Sequence, residues 1–155
     1  MMKDLIKVKI KKVKSSGAKE ILIPRYATPG AAGADLYACL DQDLVIEPGE
    51  RKAVPTGIAI ELPDNNVVAL VFARSGLSSQ KGLALSNGVG VIDSDYRGEI
   101  KVLMVNLGQE KVVIQNGDRI AQLLFMNVYQ ALFTEVEELS ATFRGEGGFG
   151  STGKQ

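Results

Sequence analysis

The chain contains no histidine. That removes Ser-His-Asp and Cys-His catalysis, and any zinc site built on histidine. An enzyme of this composition must take its base from a carboxylate, a lysine or a tyrosine. Cysteine is nearly as scarce: Cys39 stands alone, so there is no internal disulfide framework, which suits a reducing cytosol. It follows Leu36-Tyr37-Ala38 in a strand-like run and reads as a small buried apolar residue rather than a nucleophile. Net charge is missing too, with 18 basic side chains against 18 acidic ones. Together with few aromatics, this leaves no electrostatic case for a nucleic acid or an anionic membrane as partner. No apolar stretch approaches the length that spans a bilayer, and the lysine-rich start lacks the apolar centre of a signal peptide. A cytoplasmic protein is expected. Proline is absent after Pro63.

What is present fits one all-β domain. The length, 155 residues, is enough to bury a core without staples. Short apolar or alternating runs recur at Lys3–Val13, Asp35–Leu40, Leu44–Ile46, Gly57–Leu62, Val67–Phe72, Ile100–Leu107, Val112–Ile114, Ile120–Val128 and Ala131–Val136, separated by Gly, Asn, Asp and Pro turns. This spacing predicts a sandwich, jelly roll or barrel. One short helix is expected at Ser75–Gln80. Lys3 to Lys14 carries six lysines and one aspartate, interleaved with Ile6, Val8 and Ile10. That pattern reads as a strand with a solvated basic face.

Five segments hold more polar groups and glycines than plain turns need. The tail from Arg144 to Gly153 has five glycines, an arginine, Phe149, Ser151 and Thr152. It reads either as a disordered terminus or as a segment that wraps a polyphosphate. In the second reading its N–H groups, guanidinium and hydroxyls meet phosphate oxygens and the Phe149 ring stacks on a base. Asp35 follows the small-residue loop Pro29–Ala34, as a turn aspartate or as a carboxylate for magnesium, directly or through water. Arg74-Ser75-Gly76 opens the short helix as an anion site, with Ser75 as its N-cap. In the hairpin Asn87–Ile100, Asp93 is the natural general base for water, Tyr96 offers a flat face to a sugar, and the Asn87 amide and nearby backbone suit a base edge. In Asn116–Leu123, Asp118 and Arg119 can pair structurally, while Gln122 in an apolar strand can hydrogen-bond a phosphate.

In this order and spacing the five segments resemble the five motifs of the homotrimeric dUTP diphosphatases, over nearly the whole chain from about Ile23 to Gly153. The third segment and the tail are the most specific. The resemblance implies a jelly-roll-like β domain over residues 1–143, and a mobile Gly-rich tail over 144–155 that closes on the nucleotide. It implies a homotrimer with sites shared between subunits. Asp93 would activate water, Asp35 would join a magnesium–water network, and Arg74, Ser75, Gly76 and Gln122 would hold phosphates. Asn87, Val91, Ile92 and Lys101 would read uracil, Tyr96 would pack on deoxyribose, and Arg144, Phe149, Gly150, Ser151 and Thr152 would close the site. The reaction implied is dUTP plus water to dUMP plus pyrophosphate, with Mg2+ as cofactor, limiting uracil in DNA and supplying dUMP for thymidylate synthesis. Only the loop Ser78-Ser79-Gln80-Lys81 departs from the basic or histidine-containing versions common in the family. Two alternatives stand beside this. One is a dCTP deaminase-like or bifunctional enzyme, which would use a glutamate at the base where Asp93 stands here. The other is a non-catalytic nucleotide-binding jelly roll.

Overall fold

The computed structural model describes residues 5–13 and 20–148. Twelve strands and one helix follow in order: β1 Lys9–Lys12, β2 Arg25–Tyr26, β3 Ala34–Tyr37, β4 Leu44–Ile46, β5 Arg51–Pro55, β6 Ile58–Glu61, β7 Val67–Ala73, α1 Ser75–Lys81, β8 Leu83–Leu85, β9 Gly90–Ile92, β10 Lys101–Asn106, β11 Val112–Ile114 and β12 Arg119–Asn127. Every strand pairing is antiparallel. The largest sheet runs β2-β3-β12-β7-β9 and a second runs β5-β10-β8. The pairs β4–β11 and β1–β6 complete the walls. The architecture is the expected all-β, jelly-roll-like one with a single short helix.

Alternation builds the core. In β3, Ala34 and Leu36 point inward. In β10, Val102 and Met104 do the same, while Lys101 and Leu103 stay accessible. Leu36, Ile46, Val54, Ile58, Leu83, Val102, Met104, Ile120 and Leu123 are all but fully enclosed, each worth about 1.5–3 kcal/mol of transfer free energy. Cys39 is buried among them, as expected. The β7 run has Val67, Val68, Ala69 and Val71 buried and Leu70 and Phe72 half-buried, because it lies between β12 and β9 in the middle of the sheet.

Three expectations are corrected. Among the described residues the N-terminal strand covers Lys9–Lys12, paired with β6, and the Val13 amide donates on to the Gly57 carbonyl at 2.7 Å. Leu5 stands open to solvent, and Lys3 and Asp4 lie outside the described residues. Ala131–Val136 forms no strand: it pairs with no other described segment, and its Leu132 and Phe133 are more than nine-tenths exposed. Ser75 is not the N-cap of α1. It is the first helical residue, the cap position is Arg74, and no side chain caps it. The short strands β2, β5 and β8 lack the apolar length that marks strands in sequence.

Candidate active site

Two clusters of predicted residues form, on different parts of the surface. The first is a cleft of about 310 Å³ between the β7–β9 edge and β10. Asn87, Val91, Ile92, Asp93, Tyr96 and Lys101 all line it, with Val71, Leu85, Gly90 and Glu99. The register explains its shape. Pairing of Ala69, Leu70 and Val71 with Ile92, Val91 and Gly90 makes β9 the outer strand of its sheet. One side of its backbone therefore faces the cleft rather than another strand, a ready row of donors and acceptors. Ile92 is buried and fixes the strand, while Val91 is exposed.

The turn after β9 then sets the chemistry. The Tyr96 amide donates to the Asp93 carbonyl at 3.1 Å, which closes the turn and leaves the Asp93 carboxylate exposed at the cleft. Arg97 holds the turn from outside, its Nη1 donating to the carbonyls of Ser94 (2.7 Å) and Tyr96 (3.1 Å). The Tyr96 hydroxyl donates to the Glu99 carbonyl at 3.1 Å, so the ring is tethered at its far end. The expected Asn87–Ile100 hairpin is corrected: β9 pairs with β7, and β10 pairs with β5 and β8, so the segment crosses between two sheets. Glu99 ties this crossing to the body: its Oε1 accepts from the Gly57 amide at 2.9 Å. Its other oxygen lies 4.0 Å from Lys101 Nζ. Nothing in the sequence marks Arg97 or Glu99 for these roles.

The second cluster sits where β7 runs into α1. On the central strand β12, Gln122 lies opposite Asp35 of β3 and Phe72 of β7. Directly opposed residues share a face, so one face of the sheet carries all three. Asp35 is largely buried and its two oxygens are divided: Oδ1 meets Arg74 Nε and Oδ2 meets Arg119 Nη1, each at 3.3 Å. Arg74 Nη1 also donates to the Arg119 carbonyl at 3.1 Å. Gln122 Nε2 donates to the Ala73 carbonyl at 3.0 Å, which explains a polar residue in an apolar strand. Gly33 is needed here, since a Cβ on it would come within 2.8 Å of Gln122 Oε1. Ser75 and Gly76 are exposed beside Arg74. The expected Asp118–Arg119 pair does not form. Asp118 Oδ2 instead accepts from the Gln115 amide across the Asn116-Gly117 turn, and Arg119 turns to Asp35.

None of the second cluster lines the cleft. Arg144 joins neither: its Nε donates to the Gly147 carbonyl at 2.9 Å within its own exposed turn. Phe149, Gly150, Ser151 and Thr152 lie outside the described residues. Among the described residues no three Asp, Glu, Cys or His side chains converge to ligate a metal, and no helix is long and apolar enough to cross a membrane.

Known proteins share both the sequence and the fold. A deoxyuridine 5'-triphosphate nucleotidohydrolase of Desulfitobacterium hafniense is 60% identical over 148 residues, covering 96% of this chain and 97% of its own. One of Haemophilus influenzae is 49% identical over 149 residues, covering 96% and 99%. A Staphylococcus bacteriophage 80alpha dUTPase, solved with dUPNHPP, superposes with a TM-score of 0.83 at 27% identity, covering 96% of this chain and 99% of that one. A dUTPase of phage phi11 of S. aureus, described with a structural Mg(II) ion, shares the fold at a TM-score of 0.74 and 22% identity, covering 87% and 99%. The dUTPase family model matches residues 19–153, and with these relatives it establishes that the chain belongs to the dUTPase family.

Proposed function

We propose that this protein hydrolyses dUTP to dUMP and pyrophosphate, with Asp93 as the general base. The observation that carries the reading is the cleft itself, in which Asn87, Val91, Ile92, Asp93, Tyr96 and Lys101 meet. Uracil is read by the outward backbone of Val91 and Ile92, the Asn87 amide and Lys101. Thymine is rejected through its 5-methyl, which the base-reading segment would have to exclude. Cytosine's amino group would face donors in place of acceptors, and such a mismatch discriminates strongly. The Tyr96 ring packs on the sugar where a 2′-hydroxyl would otherwise sit. Asp93 takes a proton from a water aimed at the α-phosphorus. A P–O bond forms to that water, and the bond to the bridging oxygen breaks with its electron pair leaving on pyrophosphate. Arg74, Ser75, Gly76 and Gln122 hold the phosphates and offset the charge that develops on the leaving group.

The donor set suits magnesium carried in by the substrate. Both oxygens of Asp35 already face guanidinium groups, so Asp35 would reach the ion through its water shell, and phosphate oxygens would supply the direct ligands. When bound, magnesium fixes the conformation of the phosphates and offsets their charge.

The separation of the two clusters supports a homotrimer in which the cleft of one subunit faces the Arg74 cluster of another. The exposed run with Tyr129, Leu132, Phe133, Leu139 and Phe143 supplies apolar surface for such an assembly. Residues 144–155, with Arg144, Phe149, Gly150, Ser151 and Thr152, then close over the nucleotide on the body formed by 1–143. A cytoplasmic site of action fits the reducing compartment suggested by the lone buried cysteine.

The test is pyrophosphate release from dUTP, dCTP, dTTP and UTP with magnesium, for wild type and Asp93→Asn. Release from dUTP alone, falling roughly 10²–10⁴-fold in the variant with little change in nucleotide binding, is expected. Folded wild-type protein that releases nothing from dUTP would sink the reading.

A further inference from the structure

Arg119 joins the phosphate-side cluster because the sheet is irregular at that point. Along a regular strand, residues three apart face opposite sides. Arg119 and Gln122 are three apart, yet both meet the face that carries Asp35. The register shows why: Arg119 lies opposite Tyr37 and Ala121 opposite Leu36, so β12 holds one residue more than β3 across that step. Ile120 and Ala121 are consequently buried in succession, at 1% and 0% exposure. Such a bulge re-aims a side chain and often sits beside an active site. Here it turns the Arg119 guanidinium onto Asp35 Oδ2 at 3.3 Å. It also brings the Arg119 carbonyl to 3.1 Å from Arg74 Nη1.

One residue thus fixes two others. Its side chain holds Asp35 and its main chain orients the fork of Arg74. Arg74 itself is shared, since its Nε faces Asp35 Oδ1. Any phosphate that draws Arg74 away removes one of the two cations holding that carboxylate. The half-exposed Arg119 guanidinium adds little to folding stability, because solvent screens such pairs.

Resting on the proposed dUTP hydrolysis, we infer that Arg119 is a positioning residue for the reaction: it keeps Asp35 in place, on the magnesium side, while Arg74 turns to the phosphates. It does not touch the reacting atoms.

The experiment compares wild type, Arg119→Gln and Arg119→Lys for kcat/KM on dUTP, for the magnesium concentration giving half-maximal rate, and for melting temperature. In Arg119→Gln, kcat/KM should fall roughly 10- to 100-fold and the magnesium requirement should rise, with melting close to wild type. Arg119→Lys, which keeps the charge but loses the planar fork, should recover part of the loss. Wild-type kinetics and magnesium requirement in Arg119→Gln would overturn the assignment and leave the reaction standing. Early melting of both variants, with Arg119→Lys showing wild-type kinetics at a temperature where it is folded, would make the role structural and overturn it equally. Absence of dUTP turnover in the wild type would overturn the reaction and this assignment together.

Discussion

The Tyr96 hydroxyl donates to the Glu99 carbonyl at 3.1 Å, and the chain between them can pass so close to the ring only because residue 98 has no side chain. A Cβ on Gly98 would run into the Tyr96 hydroxyl and its ring carbon. Gly98→Ala must therefore push the ring out of position, at a cost of about 1–3 kcal/mol for the overpacking. The preference for dUTP over UTP is expected to fall by roughly 10- to 100-fold. Tyr96→Phe keeps the ring and loses only the tether, so its preference should stay nearer wild type. The ratio of kcat/KM for the two nucleotides, measured on both variants, separates the place of the ring from its hydrogen bond.

Asn106 is fully enclosed and uses its amide three times. Nδ2 donates to the carbonyls of Ile46 (2.9 Å) and Glu110 (2.7 Å), and Oδ1 accepts from the Gly108 amide at 2.9 Å. It thereby pins the turn between β10 and β11 to the end of β4. Asn106→Ala leaves these backbone groups without partners and should destabilise the fold by about 2–4 kcal/mol. Asn106→Asp, which sets a carboxylate against two carbonyls, should be worse. Urea unfolding midpoints at neutral pH give the order directly.

The pair Lys9 Nζ–Glu61 Oε1, at 2.7 Å, joins β1 to β6. The hydrogen bond from Lys9, and then its charge, hold the Glu61 carboxyl below its ordinary pKa. A folded pKa below the unfolded one stabilises at pH values above the unfolded value, and that gain disappears as pH falls through the folded value. Lys9→Gln should thus lower stability slightly near neutrality and make no difference in strong acid. Both groups lie at the surface and salt screens them, so added salt should shrink the neutral-pH difference as well. Unfolding midpoints for the two proteins, followed from neutral to acidic pH, check the sign.

The sequence is most readable where alternation coincides with burial. Leu44–Ile46 and Val112–Ile114 were expected at the residues where they form, because each is bounded by turn residues and each places its outer two side chains toward the core. The cleft was legible for a different reason. Asn87 to Lys101 is one continuous segment, so its chemistry is adjacent in sequence as well as in space, although the expected hairpin pairing is absent and β9 and β10 belong to different sheets. The second cluster is assembled from β3, β7 and β12, far apart along the chain, and residue type alone could suggest only its members. The role of Arg119 was hidden because a regular strand would turn it to the opposite face from Gln122. The run Ala131–Val136 has a strand's composition, but a strand also needs a partner packed beside it, and composition says nothing about that.

The division of the proposed site into a cleft and a separate Arg74 cluster has a genetic consequence. A subunit carrying Asp93→Asn still brings a sound Arg74, and one carrying Arg74→Gln still brings a sound Asp93. Each variant alone should be nearly inactive. Unfolded together and refolded as mixed assemblies, the two should complement each other, because some interfaces then join an intact half from each parent. Two alleles that are each defective would in this way restore function in the same cell.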